Sequence, residues 1–351
     1  MQTARDHGHV DARRRFLSGL AALGTTALLP GCRTAAEAPT ASPARPYRID
    51  VHHHLMPSFF MAAAASRRLG PVPAWSPARS VEEMDRNGVA TAITSLIQPG
   101  VWFGEAAAAR RLARECNEYA ARMVGDFPGR FGMFATPPMP DVDGSLREIA
   151  YALDVLKADG VGFMTSFGDK WLGDPGFVPV FDELDRRKAL VYTHPTTPEC
   201  CRGLVRDVPP STIEFATDTT RTIASLVFSG TATRCPNVRF IFSHGGGTLP
   251  FLTGRMIRLA EDRRELAARM PQGPVHELRR FHYELAQAAH PMALASLLKL
   301  VPVSQVLLGT DFPFRPAAEV IEGIGQHGFS DAERSAIERD NALALLPQRR
   351  G

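Results

Sequence analysis

Arg48-Ile49-Asp50-Val51-His52-His53-His54 reads as a short strand that ends in three imidazoles. Successive side chains on a strand point to opposite sides, so His52 and His54 share one face and His53 takes the other. Two imidazoles at the C-terminal end of an inward-facing strand can grip one divalent ion. Taken alone, the pair does not define a site, because a histidine that caps a strand is more often structural.

Working outward from this run, short β-branched and apolar segments alternate with longer helical ones. The further strand candidates are Ala90–Leu96, Arg130–Thr136, Gly160–Ser166, Leu190–His194, Arg239–His244, His282–Ala286 and Val306–Thr310. Helical spacing falls at Ala106–Val124, Gly144–Ala158, Phe177–Arg187, Thr212–Phe228, Leu249–Met270, Pro291–Leu300, Pro316–Gly325 and Asp331–Leu346. Asp331 offers a cap for the last of these. Strands alternating with helices imply parallel βαβ units, and eight of them imply an α/β fold of one closed (β/α)8 barrel, the TIM barrel. An open doubly wound sheet is the alternative. It usually carries a glycine-rich phosphate loop after its first strand, and none follows His54. Gly245-Gly246-Gly247 comes after the sixth strand and lacks the Lys-Ser/Thr of a phosphate-binding loop.

Three other strands end in metal-binding or proton-transferring atoms. The fifth ends Tyr192-Thr193-His194-Pro195, the sixth Phe242-Ser243-His244-Gly245, and the eighth Gly309-Thr310-Asp311-Phe312. A barrel builds its active site at these strand ends. Their coincidence with His52 and His54 turns a weak pair into a constellation. Asp50 and His53 are read as structural support behind the pair. Glu284, near the end of the seventh strand, either faces the barrel mouth or supports a ligand from behind.

The set His-x-His, His, His, Asp on strands one, five, six and eight resembles the amidohydrolase superfamily. The stretch His244-Gly245-Gly246-Gly247-Thr248-Leu249-Pro250-Phe251-Leu252-Thr253-Gly254-Arg255 is similar to the strand-six signature of the aminocarboxymuconate-semialdehyde decarboxylase branch. Asp50–His54, Gly168–Asp174 and Gly309–Phe314 look like the 6-methylsalicylate decarboxylase group. The resemblance implies that His52, His54, His194 and Asp311 hold one divalent ion, Zn2+ first and Mn2+ second. It implies that His244 is a catalytic acid/base, with Asp311 also at the reaction centre. It implies that Arg255 binds a substrate carboxylate, in the active site of a neighbouring subunit if the protein is a homodimer. Many binuclear members carry a carboxylated lysine at the end of strand four. Here that strand reads Gly160-Val161-Gly162-Phe163-Met164-Thr165-Ser166, so one metal is expected. The implied activity is decarboxylation of a small aromatic or unsaturated carboxylic acid, such as an ortho-hydroxybenzoate. Metal-dependent hydrolysis of a lactone, ester or amide is the alternative.

The bulk properties fit an ordinary globular enzyme. The chain has 351 residues, is 44% hydrophobic and 22% charged, and carries a formal charge of +3. So small an excess gives no reason to expect nucleic-acid binding. The basic run Arg13-Arg14-Arg15 precedes an apolar stretch from Leu20 to Leu29, which reads as a twin-arginine-like export signal over residues 1–32. Leu29-Pro30-Gly31-Cys32 resembles a lipobox, with Cys32 as a candidate lipid anchor. These features imply an exported protein, periplasmic or held at a membrane by lipid. Residues 33–46 are rich in Ala, Pro, Ser and Thr and read as a flexible linker, leaving 47–351 for the catalytic domain. Cys116, Cys200, Cys201 and Cys235 match no zinc-ribbon spacing and are expected as free thiols.

Overall fold

The computed structural model describes residues 47–65 and 71–349. Eight strands form one parallel sheet: β1 (Arg48–His54), β2 (Val89–Ser95), β3 (Phe131–Ala135), β4 (Gly160–Met164), β5 (Leu190–His194), β6 (Arg239–Phe242), β7 (His282–Glu284) and β8 (Val306–Leu307). They lie side by side in chain order. The ring closes because β1 also bonds the chain that leaves β8. Val51 N donates to Leu308 O at 3.0 Å, Asp311 N to His52 O at 2.8 Å, and His54 N to Phe312 O at 2.9 Å. The barrel expected from the alternating pattern is therefore the fold observed.

A principal helix follows each strand: α1 (Pro77–Arg86), α2 (Ala106–Asp126), α3 (Val142–Asp154), α4 (Val178–Arg186), α5 (Pro210–Phe228), α6 (Leu249–Asp262), α7 (Pro291–Leu300) and α8 (Ala317–Gln326). Alternate strand residues serve two cores. Val161, Phe163, Phe240, Phe242 and Tyr283 point outward against the helices. Ile49, Val51, Ile93, Phe134, Tyr192, Ile241 and Leu307 form an inner core, packed against Ala342, Leu343, Leu345 and Leu346 from the C-terminal helical turns. Removing this apolar surface from water supplies the main drive for closure. It leaves only the opposite end of the barrel for polar chemistry.

Several boundaries differ from those read in the sequence. Strands β6, β7 and β8 stop two or three residues early, because the chain leaves the ladder there to aim side chains at the barrel mouth. The expected helix Leu249–Met270 breaks at Arg263, and Asp331–Leu346 is interrupted by a π turn over Ala336–Asp340. Ser330, not Asp331, caps that last segment, through a reciprocal capping box with Glu333. Helix α1 was legible from Ser76 as cap and Pro77 at the first position, but it is absent from the sequence reading.

The N-terminal reading is corrected. The twin-arginine-like signal, the Cys32 lipid anchor and the linker at 33–46 lie outside the described residues. No helix among the described residues is long and apolar enough to cross a membrane. The signal-peptide and lipoprotein assignments find no support among the described residues and are withdrawn.

Candidate metal centre

The first strand reaches the site through an irregularity that strict alternation does not contain. Asp50 pairs with Ala92 and His53 with Thr94, so two residues, Val51 and His52, stand opposite the single residue Ile93. Such a bulge turns both toward the same side. Val51 joins the inner core while His52, one residue on, sits in the polar layer above it. Asp50 and His53 both face the other way and bond each other at 2.9 Å. Asp50 also accepts from His52 N and from Thr310 N, each at 3.0 Å, and from the Thr310 hydroxyl at 2.6 Å. His53 Nε2 lies 2.9 Å from the Ser80 hydroxyl on α1. These two residues clamp the seam between β1 and β8, in keeping with a supporting role.

The structure brings His52, His54, His194 and Asp311 together, all buried, with one ligand atom of each within 4.8 Å of the others. His52 Nε2 lies 3.2 Å from His54 Nε2, and Asp311 Oδ1 lies 2.9 Å from His54 Nε2 and 3.4 Å from His52 Nε2. Every imidazole is oriented through its other nitrogen. His52 Nδ1 bonds Glu284 Oε1 at 2.8 Å, His194 Nδ1 bonds Pro195 O at 2.8 Å, and His54 Nδ1 makes a long 3.4 Å contact with Ser95 O. An acceptor at Nδ1 holds the proton there and leaves the Nε2 lone pair for a cation. Lone pairs on His52 and His54 facing each other at 3.2 Å would repel unless positive charge lies between them. The donor set therefore fits one divalent metal ion.

The charges of the pocket support that fit. Burial opposes a protonated His52, yet the carboxylates of Glu284 and Asp311 outweigh it and lift its pKa to about 10. Burial, with the neighbouring His54 and His52 charges, holds His194 well below its ordinary value. Burial would raise the Asp311 carboxyl, but the His52 charge keeps it well below the usual carboxylate range. Two buried carboxylates thus demand a cation at His52. A divalent ion answers that demand better than a proton, because the remaining imidazoles stay neutral and free to bind it.

His244 stands beside this cluster without belonging to the four. Its Nε2 lies 3.6 Å from Asp311 Oδ2, too far for a hydrogen bond, and is buried with no partner. Its backbone is left-handed at φ 54°, as are Gln287 at 53° and Asp311 at 63°. Three non-glycine residues thus hold left-handed backbone just past the ends of three adjacent strands, at the mouth. Glu284 resolves inward: Oε1 accepts from His52 Nδ1 and from His244 N at 2.6 Å, and Oε2 accepts from Ala286 N at 2.6 Å. It links the first histidine to the sixth-strand histidine. Gly309 is needed beside it, because a Cβ there would collide with the Glu284 carboxylate and with His52.

Sequence reasoning missed Gln287, whose side-chain amide donates to Asp311 Oδ2. It also missed Phe215 and Phe314, whose rings stand edge-on to His194 and His54 at 6.1 and 5.6 Å between centroids. Phe314 ends the Gly309–Phe314 stretch quoted above but has no role assigned there, and no motif announces Gln287 or Phe215, which come from a loop and a helix outside the strand ends. Two cavities flank His244. One of about 370 Å³ is lined by Thr212, Phe215, His244 and Gln287; the other, of about 250 Å³, by Phe251, Ala288, Met292 and Leu297. Arg255 lies exposed on α6, lines neither cavity, and forms no ion pair among the described residues.

Glu284→Gln should keep the fold while removing the charge that orients His52. We expect metal affinity to fall about 10- to 100-fold, read by competition with a chromophoric chelator. Unchanged affinity would separate Glu284 from the metal centre.

The chain is similar over most of its length to known proteins. It is 36% identical to decarboxylase yanB of Aspergillus niger, across 86% of this chain and 88% of that protein. It is 33% identical to the 6-methylsalicylic acid decarboxylase acuB of Aspergillus aculeatus, across 86% of this chain and 96% of that protein. Its fold matches that of the 5-carboxyvanillate decarboxylase LigW from Sphingomonas paucimobilis with a TM-score of 0.77 at 22% identity, over 86% of this chain and 99% of that one. The amidohydrolase family profile matches residues 49–348, and with it the eight-stranded barrel and its mouth. On that match and on the yanB similarity, this chain belongs to the amidohydrolase family.

Proposed function

We propose that this chain is a metal-dependent carboxy-lyase that removes carbon dioxide from a small aromatic carboxylic acid, an ortho-hydroxybenzoate such as 6-methylsalicylate. The observation that carries the reading is His244: a buried imidazole nitrogen with no protein partner, beside a cation-demanding cluster and open to cavities of aromatic-ring size. The relatives described above are named decarboxylases, which favours this reading over hydrolysis of a lactone, ester or amide.

His52, His54, His194 and Asp311 would hold the ion, with Glu284 and Pro195 O fixing two of the rings. When bound, a divalent ion supplies Lewis-acid charge stabilisation for a substrate carboxylate and its ortho hydroxyl. Zn2+ and Mn2+ both suit three imidazoles and one carboxylate. A dihydroxybenzoic acid decarboxylase from Polaromonas that shares this fold, at 21% identity, has been crystallised with manganese. His244 Nε2–H would donate its proton to the ring carbon bearing the carboxylate. The ring-to-carboxyl bond then breaks, its electron pair returns to the ring, and carbon dioxide leaves. Phe215 and Phe314 would bound the ring and exclude water, and the Gln287 amide would steady Asp311.

Arg255 reaches none of this machinery from within its own chain. It shares the exposed side of α6 with Phe251, which is 86% exposed. If Arg255 binds a substrate carboxylate, a second copy must present it, and a homodimer is proposed on that ground.

Three outcomes test these assignments. The full chain should release carbon dioxide from ortho-hydroxybenzoates, and His244→Asn should lower kcat by about 10²- to 10⁴-fold with the metal retained. Loss of the metal in His244→Asn would place it among the ligands instead. Arg255→Ala should raise KM in a protein that sediments as a dimer. A monomeric, fully active chain would remove Arg255 from the site.

A further inference from the structure

The loop that leaves β5 carries a feature unrelated to the metal centre. After Pro198 the chain makes a single 3-10 turn over Glu199–Cys201, held by Cys201 N donating to Pro198 O at 3.0 Å. The turn brings the thiols of two consecutive residues into contact, with Cys200 Sγ and Cys201 Sγ 2.6 Å apart. The two differ in access: Cys200 is exposed and Cys201 is buried. The other thiols among the described residues, Cys116 and Cys235, are buried and have no sulfur partner there.

We propose that Cys200 and Cys201 form a reversible oxidation site, which closes to a vicinal disulfide by exchange with a small-molecule disulfide. The exposed Cys200 thiolate attacks one sulfur of the reagent RS–SR. This gives a mixed disulfide, Cys200–S–SR, and releases one RSH. Cys201 then attacks Cys200 Sγ and expels the second RSH. The protein loses two hydrogens and two electrons, and the reagent gains both.

Three features favour this order. Cys200 is the sulfur that a solvent reagent can reach. Hydrogen bonding to Cys200 is the leading cause that raises the Cys201 thiol pKa, so Cys201 is the weaker first nucleophile. Once Cys200 is blocked that contact is gone, and Cys201 already lies against the sulfur it must attack. The closed form should be easily reduced. Consecutive Cα atoms are about 3.8 Å apart, whereas comfortable disulfides span roughly 4.4–6.8 Å. Strained, accessible disulfides are the labile ones. The pair lies between the strand that carries His194 and the helix that carries Phe215, so oxidation would alter the loop bordering the proposed active site.

The test uses the full chain as purified and needs no turnover. The protein is held in graded mixtures of oxidised and reduced glutathione, free thiols are trapped with iodoacetamide, and the digest is weighed. The peptide containing both cysteines should come out two hydrogens lighter and unalkylated, and should return to the dialkylated form with reduced glutathione. Cys201→Ser should stop at glutathione on Cys200, and Cys200→Ser, at an exposed position, should leave Cys201 unmodified. A wild-type peptide that stays dialkylated under oxidising conditions would overturn the proposal. So would one that accumulates the mixed disulfide without resolving it, or glutathione on Cys201 in the Cys200→Ser chain.

Discussion

Two buried carboxylates, Glu284 and Asp311, flank one imidazole, His52, with no solvent to screen them. Charge buried this deeply is tolerated only when it is paired and hydrogen-bonded. The rest of the mouth is arranged to meet that condition. Glu284 holds His52 through Nδ1 and the backbone of His244 through a second bond, which links β7 to β1 and to the end of β6. Asp50 holds Thr310 and the backbone of His52, which links β1 to the end of β8. The bonds that close the barrel and the bonds that orient the proposed ligands thus belong to one network.

Part of this was legible in the sequence for physical reasons. Eight apolar runs separated by helical spacing can bury themselves in few ways, and the parallel barrel is one of them. Because a barrel gathers its strand ends, the residues His52, His54, His194, His244 and Asp311 could be grouped from their positions alone. Other features were not legible. The bulge at Val51–His52 depends on how β1 pairs with β2, and pairing is not written in a period of two. It reverses which face Asp50 shares, and so decides that Asp50 braces the seam instead of joining the metal ligands. Glu284 stayed ambiguous because β7 has only three residues. Gln287, Phe215 and Phe314 reach the mouth from outside the strands, where spacing carries no information. The contact between Cys200 and Cys201 depends on a single turn that adjacency did not foretell.

The geometry also suits the scaffold to the proposed proton transfer. Packing of the inner core below the cluster fixes the strand ends. Left-handed backbone at His244, Gln287 and Asp311 then aims their side chains at a common point, at a conformational cost that the surrounding hydrogen bonds absorb. His244 Nε2 is left buried with no hydrogen-bond partner among the described residues.

The central claim is that one divalent ion per chain, held by His52, His54, His194 and Asp311, is what makes the protein a decarboxylase. It is tested most directly by stripping the full chain with a chelator, returning metal in measured steps, and following carbon dioxide release from an ortho-hydroxybenzoate at each step. Activity should rise linearly and level off at one metal per chain. A plateau at two metals, or full loading with no release from any member of a broad ortho-hydroxybenzoate panel, would contradict the account.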